Sequence, residues 1–300
     1  MDFDQLTTFV QVAKLKSFSK AGQKVFRSQS AVSAQIRQLE QAYKAKLLDR
    51  SAKSVELTPA GVVLFDYAER LLRLRDESMQ IVADRGSVVQ GPITFGANEA
   101  TCLYLLPDIL AEFRHRYPLV HISIYRNFSH KILQRLEEGS LDLGIVTLPL
   151  KSPNLKVHVI NRDRLRFMVS SKNPLAHRSS VTLEEIAAAP LIFPKTGYTR
   201  QVLDKLFRPH RSRLQIAMEL PSVSMIKTFV AADVGISIIS ESFARDQVKG
   251  GEVKLLNVEG VDLWRELALV YRRDRSLPRA VQALINMIRE SRKPVEGAHA

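Results

Sequence analysis

The side chains best equipped for chemistry lie between Gln29 and Gln41, in the run QSAVSAQIRQLEQ. At helical spacing, Ser30, Ala34, Arg37, Gln38 and Gln41 fall on one face, with Gln29 and Ser33 near its start. Val32, Ile36, Leu39 and Tyr43 fall on the other. The first face offers amides, hydroxyls, a methyl group and one guanidinium, and no acid. Glutamine and arginine present donors and acceptors in the geometry of base edges in the major groove of duplex DNA. A helix N-terminus aimed at phosphate adds a favourable dipole. The competing reading is a small helical bundle with a solvated polar face.

Catalytic patterns are missing from the rest of the chain. No glycine-rich phosphate loop, no metal-binding histidine spacing and no nucleophile elbow occurs. The seven histidines are scattered, so the reading is of a protein that is not an enzyme and carries no cofactor. A single cysteine, Cys102, excludes an intramolecular disulfide. It reads as a small apolar side chain rather than a thiol sensor, since a disulfide switch would need a second thiol.

A net charge of +13 points to a polyanionic partner. The excess is spread evenly before and after residue 90, so charge alone does not locate the contact. At 45% hydrophobic and 25% charged residues, the chain is expected to bury a large core. No stretch approaches the roughly 18 uncharged apolar residues of a membrane span, and the N-terminus carries acids where an export signal is basic. A cytoplasmic protein with no membrane partner is expected.

The elements that must position the polar helix face are legible around it. Asp4 to Lys14 spaces Phe3, Leu6, Phe9, Val10 and Ala13 along one helical stripe. Ser17 or Ser19 can cap a second short helix that turns Ala21, Val25 and Phe26 inward, and Ser28 can cap the third, which runs to about Tyr43. Residues 46–58, KLLDRSAKSVELT, turn extended and predict a two-stranded wing with Arg50 and Lys53 at its tip, in reach of phosphate or the minor groove. Three short helices and a wing make a winged helix-turn-helix over residues 1–58. Thr58-Pro59 then starts a long linker helix, residues 59–90, with its next break signal at Gly86 and Gly91-Pro92 closing the connector. Along it Leu64, Tyr67, Leu71, Leu74, Ser78 and Ile81 step at heptad intervals. About 27 helical residues span roughly 40 Å, more than a small headpiece can cover. A second copy is the simplest cover, and packing onto the chain's own C-terminal domain is the alternative.

From Gly91-Pro92 to the end, residues 91–300, strand-like and helix-like segments alternate. ITFGA, VHISIY, LDLGIV, VHVI, RFMVS, PLIFP, LQIAMEL, GISIIS, VKLL and LWRELALVYRR read as strands. Helices are expected at about 103–117, 131–138, 183–188, 200–207, 223–232 and 279–290. This alternation predicts α/β domains with largely parallel sheets.

The run from Ser17 to Gly61 resembles the N-terminal signature of LysR-type transcriptional regulators. The shared features are Ser17-Phe18-Ser19, Ala21, Ser28-Gln29, Ala31-Val32-Ser33, Ile36, Leu39-Glu40, Leu47, Arg50 and Thr58-Pro59-Ala60-Gly61. The likeness continues through Leu106-Pro107, Phe113, Tyr117-Pro118, Leu136, Gly139, Leu141 to Ile145, Pro174 to Ala176 and Val234 to Ile236. Three positions depart: Ser30 stands where the family usually has proline, and Asp233 and Ser240 stand where glycine and proline are common.

The resemblance implies a bacterial, sequence-specific regulator of transcription. Its partners would be double-stranded DNA, a second copy of itself (homodimer or dimer-of-dimers tetramer), a small-molecule effector and RNA polymerase. Beyond the winged helix-turn-helix and linker, it implies a periplasmic-binding-protein-like α/β domain of two subdomains. The first covers about 91–163 and 265–300, the second about 164–264, with crossovers near 162–165 and 260–265. DNA contacts are expected from Gln29, Ser30, Ser33, Ala34, Arg37, Gln38, Arg50 and Lys53. The effector is expected between the subdomains, at strand ends and helix starts. The candidates are Asn98, Glu99, Thr101, Asn127, Ser129 and Thr147 from the first, and Pro194, Thr196, Gly197, Ser222 and Ser224 from the second. Each of these could equally be an ordinary cap or turn residue. Glu99 would disfavour a carboxylate ligand unless neutralised. Two other classes fit less of the sequence: a solute-binding module or α/β enzyme with a helical dimerisation arm, and a protein-interacting adaptor that would not need the glutamine-rich face.

Overall fold

The structure, a computed structural model, describes residues 1–49, 55–83 and 88–291. The expected wing-tip residues Arg50 and Lys53 lie outside the described residues, as does the side chain of Ile81. The chain forms two compact units that divide between Ser87 and Val88.

The first unit contains helices α1 (Phe3–Leu15), α2 (Phe18–Lys24), α3 (Gln29–Tyr43) and α4 (Pro59–Ala83), and strands β1 (Leu48–Asp49) and β2 (Glu56–Leu57). Each of the first three helices starts at a side-chain cap. Asp2 and Gln5 form a reciprocal capping box, Ser17 accepts from the Lys20 amide, and Ser28 accepts from the Ala31 amide. Leu6, Phe9, Val10, Ala21, Val32, Ile36 and Leu39 close into a core with Leu47 and Leu48 from the wing.

Phe26 corrects the sequence reading. It is 96% exposed, not inward, and its backbone is left-handed with φ 55°. The reversal between α2 and α3 fixes that conformation, which carries the side chain away from the core. Tyr43, placed on the inner face by its spacing, is likewise exposed, at the last position of α3 before its left-handed cap Lys44.

The wing hangs on one buried acid. Glu40 of α3 accepts from the Leu47 and Leu48 amides at 2.9 and 3.4 Å, satisfying the backbone where the chain turns from helix to strand. β1 and β2 pair antiparallel, Leu48 opposite Leu57. The Thr58 hydroxyl then donates to the Lys46 carbonyl at 2.6 Å and accepts from the Gly61 amide at 3.0 Å, welding the start of α4 to the wing. Gly61 is held there by contact: a Cβ would overlap the carbonyl oxygen of Leu47.

The helix α4 carries two apolar stripes, and the headpiece covers one. Leu64 and Ala68 are buried in its core, and Leu72 packs against it. Leu64 therefore leaves the heptad seam assigned to it: with Ala68, one helical turn on, it packs into the headpiece core. Tyr67, Leu71 and Leu74 lie on the other stripe, 55%, 37% and 61% exposed.

The second unit contains β3 (Gly91–Ala97), α5 (Glu99–Tyr104), α6 (Leu106–Arg116), β4 (Val120–Arg126), α7 (Ser129–Glu137), β5 (Leu143–Thr147), β6 (Leu155–Ser170), α8 (Leu183–Ala188), β7 (Pro190–Pro194), α9 (Tyr198–Leu206), β8 (Gln215–Leu220), α10 (Val223–Ala231), β9 (Ser237–Ser240), α11 (Arg245–Lys249), β10 (Val253–Leu255), β11 (Leu263–Arg272) and α12 (Arg279–Glu290). Where one helix was expected over 103–117 there are two, broken at Leu105. Pro107 has no amide to continue the ladder and sits instead in the first turn of α6.

VHVI and RFMVS, read as separate strands, are the two ends of the single 16-residue strand β6. It pairs antiparallel with β11 from Leu155 opposite Arg272 to Leu165 opposite Leu263, so the two crossovers run side by side as one ladder. The sheet order is β10–β6–β11–β5–β3–β4, with β9 also on β6. The pairs β3–β4, β3–β5 and β7–β8 are parallel, whereas β5–β11, β6–β11, β6–β9 and β6–β10 are antiparallel. The expected largely parallel arrangement is thus corrected to a mixed one, because β11 runs against β5 in the first subdomain and β6 runs against β9 and β10 in the second.

Two of the departures from the family pattern have a physical place. Asp233 adopts φ 61°, the left-handed region that glycine enters freely, and its carboxylate accepts from Asn173 at 3.3 Å. Ser240 bridges a buried pair on the crossovers: it accepts from Arg265 at 2.8 Å and donates to Asp163. Arg265 and Asp163 face each other on the ladder. Burial pushes the Arg265 pKa down, and the Asp163 carboxylate opposes that shift.

Gly61→Ala is expected to destabilise the headpiece by about 1–3 kcal/mol, since the added methyl forces α4 off the wing. Thermal unfolding followed by circular dichroism measures it; an unchanged melting temperature would refute the contact.

Candidate functional site

On α3 the side chains Gln29, Ser30, Arg37 and Gln38 are exposed, and Ser33 and Ala34 are half-buried. The apolar stripe Val32, Ile36 and Leu39 anchors the helix and sets this outward face. Several of its groups are already engaged. Ser30 shares a hydrogen bond with the Ser28 cap at 2.9 Å, Arg37 Nε donates to the Ser33 carbonyl at 3.4 Å, and Gln38 accepts from Gln5 at 3.0 Å. Ser30, standing where proline is common, thus extends the cap instead of starting the helix with a ring. Phe26, at the turn just before α3, adds an outward aromatic ring that the hydrophobic pattern had assigned to the core. Its signal in the sequence is its place at the helix break, next to Arg27.

In the second unit the candidate effector residues fall into three groups. Asn98 caps α5, accepting from the Thr101 amide at 2.9 Å, and Thr101 is fully buried with a hydroxyl that has no hydrogen-bond partner among the described residues. Ser222 caps α10 and donates to Glu99 at 2.6 Å, joining the first subdomain to the second. Glu99 also pairs with Arg126 at 3.3 Å. Its charge is therefore met, and it does not bar an anionic ligand.

The second group is Ser129 and Thr147, brought together where the Ser129 hydroxyl accepts from the Thr147 amide at 3.1 Å. Beside it, Asn127 spends its side chain locally, donating to Tyr125 at 2.8 Å and accepting from the Phe128 amide at 2.9 Å. The third group is Pro194, Thr196 and Gly197 before α9, with Thr196 exposed and the Pro194 carbonyl accepting from Arg200 at 3.4 Å. Gly197, at φ 95°, approaches Phe128 of the first subdomain; a Cβ there would lie 3.8 Å from the ring. Ser224 is half-buried in the first turn of α10 and its carbonyl accepts from Thr228.

The residues that lock the first group were not foreseen. Ala100 and Tyr104 of α5 pack into the second subdomain's core with Ile226, Val230, Ile239 and Phe243. Tyr104 stacks on Phe243 at 5.0 Å, and the buried Lys227 sits 4.2 Å from the Tyr104 ring while donating to the Phe243 carbonyl and Gln247 at 2.9 and 2.8 Å. Burial raises the pKa of Cys102, on the same helix, and so disfavours a reactive thiolate, an effect that Arg126 partly offsets. No group of three or more potential metal ligands and no helix long and apolar enough to cross a membrane occurs among the described residues.

A winged helix-turn-helix joined to a two-lobed α/β domain is the architecture of a DNA-binding regulator with an effector-binding domain. Residues 3–62 match the family model described as bacterial regulatory helix-turn-helix protein, lysR family, and residues 86–293 match the LysR substrate binding domain. The chain belongs to the LysR family of transcriptional regulators: it binds DNA and carries an effector-binding domain. It is 29% identical over 286 residues to a probable RuBisCO transcriptional regulator of Chlorokybus atmophyticus, covering 93% of this chain and 91% of that one. Identity is 28% over 286 residues to the HTH-type transcriptional activator CmpR of Synechocystis, covering 95% and 93%. Full-length CbnR, solved in complex with its target DNA, shares the fold with a TM-score of 0.71 at 19% identity, over 97% of this chain and 99% of CbnR.

Thr101→Val removes a buried hydroxyl that has no partner among the described residues and keeps the side-chain shape. It is expected to leave the protein at least as stable, with a gain of up to about 1 kcal/mol. Chemical denaturation reads this; a clear loss of stability would mean the hydroxyl is satisfied in solution.

Proposed function

We propose that the chain acts in the bacterial cytoplasm as a homodimer, or a dimer of such dimers, whose paired α3 helices read the half-sites of a pseudo-palindromic operator. The wings hold the phosphate backbone, and a polar small molecule in the cleft between subdomains shifts the packing of the assembly and with it the DNA contacts. The altered complex then acts on RNA polymerase. The observation that carries this reading is the outward face of α3, where Gln29 and Arg37 are exposed on a helix anchored by Val32, Ile36 and Leu39. Its arginine and amides suit base edges. The uncovered stripe of Tyr67, Leu71 and Leu74 supports a second copy along α4. The buried Thr101 hydroxyl, with Asn98 and Ser222 close by, supports an effector that hydrogen-bonds at the Glu99–Ser222 junction. An effector can switch such a protein only by binding one arrangement better than the other.

The DNA contact is tested on operators selected from random duplexes by repeated binding. Arg37→Ala and Gln29→Ala are each expected to reduce the preference for the selected site over random DNA by about 1–3 kcal/mol. Overall affinity should fall steeply with salt, through the phosphate contacts. Unchanged sequence preference in both variants would remove α3 from the reading role.

Leu71→Asp places a charge in the proposed seam and is expected to give monomers in sedimentation with little DNA affinity. A dimer that survives the substitution would refute pairing along α4.

A further inference from the structure

A cavity of about 520 Å3 opens beside the crossover ladder, and none of the cleft residues above lines it. That volume lies within the range of small-molecule sites. One wall is apolar and belongs to the first subdomain: Leu148, Pro149 and Leu150 after β5, with Val157 on β6. The second subdomain contributes Tyr198, at the start of α9, whose hydroxyl donates to the Trp264 carbonyl at 3.1 Å.

The polar groups of the cavity come from the ladder itself. Arg162 of β6 and Glu266 of β11 are directly opposite each other, so their Cβ atoms stand about 5 Å apart on one face. They form no ion pair with one another or with any other described residue. The Arg162 guanidinium lies instead over the Trp264 ring, 4.7 Å from its centre. Arg164, the next residue on that face, is also near the ring at 6.0 Å, but its charge is met by Asp262 at 3.1 Å. One positive and one negative group therefore stand side by side at an apolar wall, each available to a ligand.

We propose that this cavity binds a zwitterionic α-amino acid with an apolar side chain. Its carboxylate would meet Arg162, its ammonium group Glu266, and its side chain Leu148, Pro149 and Val157. An α-amino acid carries its two charges on adjacent atoms of one carbon, a separation that a facing cross-strand pair brackets. A simple carboxylate would leave Glu266 repelling it, and a simple amine would leave Arg162 doing the same. Because the walls come from both subdomains and the charges from the ladder between them, occupancy favours one packing of the two over others.

Trp264 is the chain's only tryptophan, so its emission reports on this cavity. Titrating the full-length protein with L-leucine is expected to give a saturable change in emission and matching heat by calorimetry. N-acetyl-L-leucine, without the ammonium group, and L-leucinamide, without the carboxylate, should each bind about tenfold more weakly or worse, the cost of one charge-assisted contact. Glu266→Gln and Arg162→Gln should weaken L-leucine to the same degree, whereas Thr101→Val should leave it unchanged. The proposal is overturned if L-leucine, L-isoleucine and L-phenylalanine all fail to bind at up to about 10 mM. It is also overturned if Arg162→Gln/Glu266→Gln binds L-leucine as the parent does, or if Thr101→Val weakens it as much as Glu266→Gln. None of these measurements uses DNA, so failure here leaves the operator-reading role standing.

Discussion

The second unit depends on one buried ion pair. Asp163 and Arg265 face each other on the two strands that join the subdomains, both almost wholly buried. Charges removed from water this completely persist only when their hydrogen-bonding capacity is met. Ser240 and Ser242 donate to Asp163, and Ser240 also receives Arg265. The guanidinium rests 4.6 Å from the Phe243 ring, and the same ring stacks on Tyr104 of α5. A continuous set of contacts thus runs from the ladder, through Phe243 and Tyr104, to the helix whose first residues are capped by Asn98 and tied to Ser222. Each member of that set is in van der Waals or hydrogen-bond contact with the next.

The headpiece uses the same device on a smaller scale. Glu40 is the acid in its core, and it serves the backbone of the wing. Together with the Thr58 hydroxyl and the close approach at Gly61, it fixes the angle between α3 and the strands. The outward side chains of α3 can then be short and polar, since orientation comes from the groups behind them. This division of labour, with a polar surface for contact and a buried acid for alignment, lets a domain of about sixty residues present a rigid face.

Much of this was legible in the sequence where local chemistry decides the outcome. The caps Ser17, Ser28, Thr58 and Ser222 mark helix starts because a hydroxyl beside free amides stabilises them wherever the rest of the chain goes. Helix α12 begins and ends where its apolar repeat does. The misreadings share a different cause. Phe26 and Leu64 obey the periodicity of their helices, yet a left-handed turn expels one and a neighbouring helix claims the other. The run NRDRL between Ile160 and Arg166 is where a crossover is expected, but nothing local shows that Asp163 within it pairs with a residue some hundred positions away in sequence. Such pairings leave no local mark, and neither do the contacts of Tyr104 and Lys227, which join segments distant in the chain. The effector candidates were found as strand ends, while their grouping into three clusters came only from the tertiary fold.

The unbroken course of β6 has a mechanical consequence. Two lobes linked by flexible loops can swing apart like the halves of a clamshell. Here they share a sixteen-residue strand, paired along ten of its positions with its neighbour. Backbone hydrogen bonds make such a ribbon stiff against bending in its own plane, while its natural right-handed coil is softer to deform. The lobes are therefore best able to rotate about the ribbon's axis, like the ends of a torsion bar. A bound molecule would register as a few degrees of twist distributed over many residues.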